Sequence, residues 1–159
     1  MGAALLAAAA GVIGVALGRL WDIRSEAARW RRDQETASYQ RLAEAFILLY
    51  EEIRTIALTE RDTNTLIEAI SSTRRDKTWD NALVAVWLHG SASVVTAASL
   101  MDRTVTKLFY DAQARQHSTE DWNRARIPSA DAFERFLASV RKDINLSPVS
   151  VRLFPHIPN

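Results

Sequence analysis

The chain has 159 residues and a formal net charge of +1, so it carries no global positive field and no nucleic-acid partner is expected. It contains no cysteine, which excludes disulfides and thiolate metal sites and fits a non-oxidising compartment. Gly2, Gly11, Gly14 and Gly18 are four of the five glycines, Gly90 is the fifth, and the first proline is Pro128; so few breakers over so long a stretch exclude a turn-rich β-protein and predict long helices.

The first element is an uncharged run from Met1 to Gly18. Extended to Trp21 it makes a helix of about 30 Å, matching the hydrocarbon core of a bilayer. Ala3–Leu20 is thus expected to be a transmembrane helix, because a helix bonds its own backbone in lipid. The run is alanine-rich and near the lower limit of apolarity for a span. The rival reading as a cleaved signal peptide lacks a basic region ahead of the apolar run. An N-myristoyl site is excluded by Leu6, where a serine or threonine is needed.

Arg19, Trp21, Arg24, Arg29, Trp30, Arg31 and Arg32 come directly after the span and are expected to form its membrane-interface flank. The arginines all lie on one side, so the positive-inside rule places the C-terminal domain in the cytoplasm. They also offer a weak attraction for anionic headgroups, diluted by Asp22, Glu26 and Asp33. Gly11, Gly14 and Gly18 sit on a small-residue face. Their spacing allows two helices to approach closely, so this face is the expected site of helix association in a homo-oligomer.

No breaker separates the span from the residues after it, so the first helix is expected to continue to about Arg61. Leu20, Ile23, Ala27, Trp30, Gln34 and Ala37 form a weak coiled-coil seam. Leu42, Ala45, Phe46, Leu49, Ile53, Ile56 and Ala57 recur at three- and four-residue steps and predict a buried helical stripe. Asp62–Thr65 reads as a turn, and Thr65 with Glu68 forms a capping box for a second helix reaching Leu88. Its polar middle, Ser71–Asp80, is expected to fray. Trp79 and Trp87 are expected in the core. Gly90 is expected as a left-handed residue after that helix, with Ser91 capping the next.

Val94, Val95, Ala98, Met101, Val105 and Leu108 define a third helix ending near Ala114. His117–Ser129 is expected as loop. Ser129 is expected to cap a fourth helix carrying Ala132, Phe133, Phe136, Leu137, Val140 and Ile144. Pro148, Pro155 and Pro158 limit helix beyond Asn145, and alternating Val149, Val151 and Leu153 suggest an extended strip. Residues 82–101 are a second uncharged run. A buried helix–turn–helix accounts for Gly90–Ser91 better than a second span does.

No catalytic motif emerges. His89, His117 and His156 lie far apart, without carboxylates at metal-ligating spacing. Phosphate-binding glycine loops and a nucleophile elbow are lacking. Glu51 and Glu52 are neighbours, point apart on a helix, and read with Arg54 as a solvated face. Arg74–Arg75 with Lys77, and Arg124 with Arg126 near Trp122, are basic clusters read as solvated. Trp30 and Trp122, set among charges, are the candidate interface aromatics.

The stretches Trp30–Gln34, Tyr39–Leu42, Val86–Val95 (VWLHGSASVV) and Phe133–Leu146 (FERFLASVRKDINL) resemble a loose group of small uncharacterised single-pass membrane proteins of actinobacteria and their phages. In that group a final Phe-x-x-x-x-Arg-x-Asp-x-Gly-Leu pattern has glycine where this chain has Asn145, which fits a left-handed helix cap. The resemblance implies topology and no activity. The expected architecture is all-α: a transmembrane anchor over 1–21, a juxtamembrane stalk over 22–41, an antiparallel bundle of about four helices over 42–146 and an extended tail over 147–159. The expected role is a cytoplasmic interaction or scaffold module tethered to the lipid bilayer, binding a protein partner and self-associating, without enzyme activity, cofactor or metal. The alternative is a small membrane-active effector of the holin or phage-exclusion kind, acting through oligomerisation of its span.

Overall fold

The structure is a computed structural model. It describes residues 2–60, 67, 68, 70, 71, 73 and 77–149, and of residues 2–25, 27 and 28 the backbone alone. Among the described residues it is all-helical. Helix α1 is Gly2–Leu58, α2 is Thr78–His89, α3 is Ala92–Ala114, α4 is Thr119–Ala125 and α5 is Ile127–Asp143. The described residues between 67 and 73 are helical too. The chain forms two compact units, Met1–Glu35 and Thr36–Asn159.

In the second unit α1 buries the stripe its spacing implies: Leu42, Ala45, Phe46, Ile53, Ile56 and Ala57 are all buried, with Tyr39 and Tyr50. The α3 face adds Val94, Ala98, Met101, Val105 and Leu108, and α5 adds Ala132, Phe133 and Phe136. Phe46 is the centre of this core. Its ring stacks on Phe133 at 4.3 Å between centroids and on Tyr50 at 6.0 Å, and Trp79 tilts against it at 6.3 Å. Such ring pairs add about 0.5–1.5 kcal/mol beyond the area they bury.

Long-range bonds fix the helix directions. The Tyr39 hydroxyl on α1 meets the start of α3 at Ser91 and the end of α5 at Asp143. Further along α1, Ala57 accepts from His117 just after α3, and the Tyr50 hydroxyl meets Arg126 just before α5. α1 and α3 therefore run the same way, and α5 runs against both. α2 runs from Trp79, which bonds Asp102 on α3, back to Gly90 beside Tyr39, so it too opposes α1. The result is an up–down bundle built on 3.6-residue apolar faces.

Several local expectations are corrected. Gly90 is not left-handed: its φ of −80° and ψ of 156° are extended. Glycine is needed there for space, because a Cβ would lie 2.7 Å from the Val86 oxygen and 3.2 Å from Tyr39 Cε1. Asn145 is left-handed, with φ 58°, and the Leu146 N–H returns to the Arg141 oxygen at 2.7 Å, closing the helix end.

The stretch read as loop, His117–Ser129, contains α4. Ser118 caps it, its hydroxyl oxygen accepting from the Asp121 N–H at 3.1 Å. Ser129 does not cap α5. That helix starts at Ile127, with Pro128 inside its first turn, where the fixed φ suits a helix and the missing N–H costs nothing. The uncharged run 82–101 turns at Gly90–Ser91 into α2 and α3, as the helix–turn–helix reading requires.

Among the described residues no helix is long and apolar enough to cross a membrane. The expected span, Ala3–Leu20, is helical in backbone, but its side chains lie outside the described residues. The expected capping residue Thr65 and the tail beyond Val149 also lie outside the described residues.

Candidate interaction surfaces

α2 is apolar nearly all round. Ala82, Leu83 and Val86 face the core, while Val84, Trp87 and Leu88 face outward, Trp87 at 52% and Leu88 at 73% exposure. A helix of this composition is ordinarily covered on every side. Its stripe spans one helical turn and ends beside the Gly90–Ser91 corner. The expected core position of Trp87 is thus corrected. It points away because the i, i+3 pair of Leu83 and Val86 already fills the inward face.

The other tryptophans divide unexpectedly. Trp30, among Arg29, Arg31 and Arg32, is 63% exposed, and those arginines are exposed with it. Trp122, expected at an interface, is 3% exposed. The short helix α4 turns its ring inward against Tyr50 at 5.5 Å and against His117 at 6.5 Å in perpendicular geometry. The clue was Ser118 with Asp121 three residues on, the spacing of a helix start, which places Trp122 on a helix with a definite inner face.

Arg19, Trp21 and Arg24 lie outside the described side chains, as do Arg74 and Arg75. Gly11, Gly14 and Gly18 are described as α1 backbone only. Lys77 is exposed just before α2. The other basic pair is engaged locally. Arg124 donates to Asp121 at 2.8 Å and approaches Glu120 at 3.7 Å. Arg126 bonds Asn123 and Tyr50. Glu51 and Arg54 pair at 3.2 Å on the exposed face.

No protein family, curated protein or solved structure matches this chain. What remains to carry function is the chemistry of the described surfaces. Among the described residues no three His, Asp or Glu side chains gather as a metal site. His89 ends α2.

Two polar networks join helices of the second unit, the first part-buried and the second reaching the surface through Arg115. In the first, Tyr39 donates to Asp143 Oδ2 at 2.8 Å and accepts from the Ser91 N–H at 3.1 Å. Burial, with the Asp143 carboxylate reinforcing it against the Ser91 N–H, pushes its hydroxyl up to about 12. In the second, Asp111 accepts from Arg115 at 3.1 and 3.2 Å and lies 2.9 Å from His117 Nε2. The Arg115 guanidinium, aided by His117 and opposed by partial burial, holds the Asp111 carboxyl below its usual range. Asp121 is held low first by the Ser118 hydroxyl and then by Arg124. Each network ties helix ends together, so both read as fasteners of the bundle.

Proposed function

We propose that this protein is an interaction module tethered to the membrane by Ala3–Leu20, its helical domain in the cytoplasm and its outward α2 stripe docking a protein partner. The observation that carries the reading is the exposed Val84, Trp87 and Leu88 face on a helix whose opposite face is tightly packed. Large exposed aromatics beside aliphatic neighbours are the usual anchors of protein interfaces. The uncharged run ahead of five one-sided arginines supports the tether and its orientation. Tethering confines the domain to a surface and raises its effective concentration toward partners there.

The test has two arms. Alkaline extraction of membranes should leave the full chain in the pellet. A photo-crosslinking residue in place of Trp87 should give one discrete adduct in cells, lost with Leu88→Glu. Chain released into the alkaline supernatant would refute the tether, and absence of a discrete adduct would refute the α2 surface.

The Gly11, Gly14 and Gly18 spacing favours a second reading, the membrane-active effector. Dye leakage on induction that disappears with Gly14→Leu and Gly18→Leu would establish it in place of the scaffold role.

A further inference from the structure

The connection between α3 and α4 is held to the end of α1 through His117, whose backbone N–H donates to the Ala57 oxygen at 2.8 Å. The imidazole is fully buried. Nδ1 lies 3.1 Å from the Arg115 carbonyl oxygen, and Nε2 lies 2.9 Å from Asp111 Oδ2. A carbonyl oxygen can only accept, and an ionised carboxylate can only accept. Asp111 is ionised, because Arg115 donates to both of its oxygens. Both ring nitrogens therefore face acceptors, while a neutral imidazole carries a single N–H.

We propose that His117 is a doubly protonated clasp, an imidazolium that donates to Asp111 and to the Arg115 carbonyl at once and so pins the α3–α4 connection against α1. The charges around it balance this role. From α3, Asp111 faces the ring directly and Arg115 stands behind Asp111. From α4, the Trp122 ring lies perpendicular to it, while Asp121 is engaged by Ser118 and Arg124. From α1 the partner is the uncharged Ala57 carbonyl.

Loss of one ring proton sets a nitrogen lone pair against an oxygen. The ring must then shift, and the Ala57–His117 bond opens with it. The clasp is therefore closed only while both ring nitrogens carry protons. It also depends on Asp111 staying ionised, since a protonated carboxyl would cease to accept from the ring. The device thus couples the charge of one buried side chain to the fastening of three helices.

The test is ¹⁵N spectroscopy of the histidine rings in the full chain in detergent micelles. At pH 7 both His117 ring nitrogens should show protonated shifts and slowly exchanging N–H protons. In Asp111→Asn the His117 amide should exchange about tenfold faster than in the wild-type chain at the same pH, the effect of one opened hydrogen bond. In Asp111→Asn the ring should be singly protonated at pH 7. An unprotonated ring nitrogen in the wild-type chain at pH 7 overturns the proposal, as does double protonation that survives Asp111→Asn. The wild-type spectrum is decisive even where Asp111→Asn fails to fold.

Discussion

Replacing Tyr39 with phenylalanine removes one hydroxyl that serves three helices. The ring of Tyr39 is buried and phenylalanine keeps its volume, so the packing term is nearly unchanged. What is lost is the bond to Asp143 at 2.8 Å and the acceptor for the Ser91 N–H at 3.1 Å. A buried donor left without a partner costs about 1–3 kcal/mol, and loss of a donor to a carboxylate adds to it. The expected destabilisation is about 2–3 kcal/mol, with a fall in Tm of roughly 5–10 °C for a domain of this size. Urea unfolding in detergent micelles, followed by circular dichroism, measures it. A pH series supplies an independent arm. The hydroxyl is pushed up to about 12 in the fold from an ordinary value of about 10. The neutral form is favoured in the native state, so its stabilisation is complete below pH 10 and is lost as pH rises from about 10 to 12. The alkaline loss is on the order of 1–3 kcal/mol, reduced by solvent screening at this part-buried site. Tyr39→Phe should lack that alkaline loss. A variant within about 0.5 kcal/mol of wild type, or one retaining the full alkaline loss, would refute the three-helix role.

Gly90→Ala should destabilise by about 1–3 kcal/mol, since the new methyl meets the Val86 oxygen at 2.7 Å and the Tyr39 ring at 3.2 Å; unchanged thermal unfolding would show that the corner gives way freely. Trp122→Ala should cost about 3–5 kcal/mol through lost core packing, whereas Trp87→Ala, on an exposed position, should stay within about 0.5 kcal/mol. Equal effects of the two in a urea titration would contradict the inward and outward assignments. Ser129 has a buried hydroxyl with no hydrogen-bond partner among the described residues, so Ser129→Ala should be neutral or stabilising by up to about 1 kcal/mol, and a clear loss of stability would reveal a hidden partner.

The helical class and most core residues are written in the sequence itself. Breakers are scarce between Arg19 and Ile127, and the three- and four-residue spacing of Leu42–Ala57, Val94–Leu108 and Ala132–Phe136 names one face of each helix. Periodicity encodes a face, and burial follows it. The left-handed backbone of Asn145 was suggested only by the resemblance, whose pattern has glycine at that place; an asparagine tolerates positive φ at a helix end. The fate of the tryptophans was not legible. α2 is apolar on both sides, so periodicity cannot choose between Trp87 and its neighbours, and only packing against α1 and α3 turned Leu83 and Val86 inward. Trp122 is surrounded by charges in sequence, yet α4 swings it onto Tyr50 and His117. The pairings of Tyr39 with Asp143, 104 positions apart, and of His117 with Ala57 also belong to the tertiary structure. Contacts between residues distant in the chain leave no periodic trace, and hydrogen bonds across helices depend on which faces finally meet.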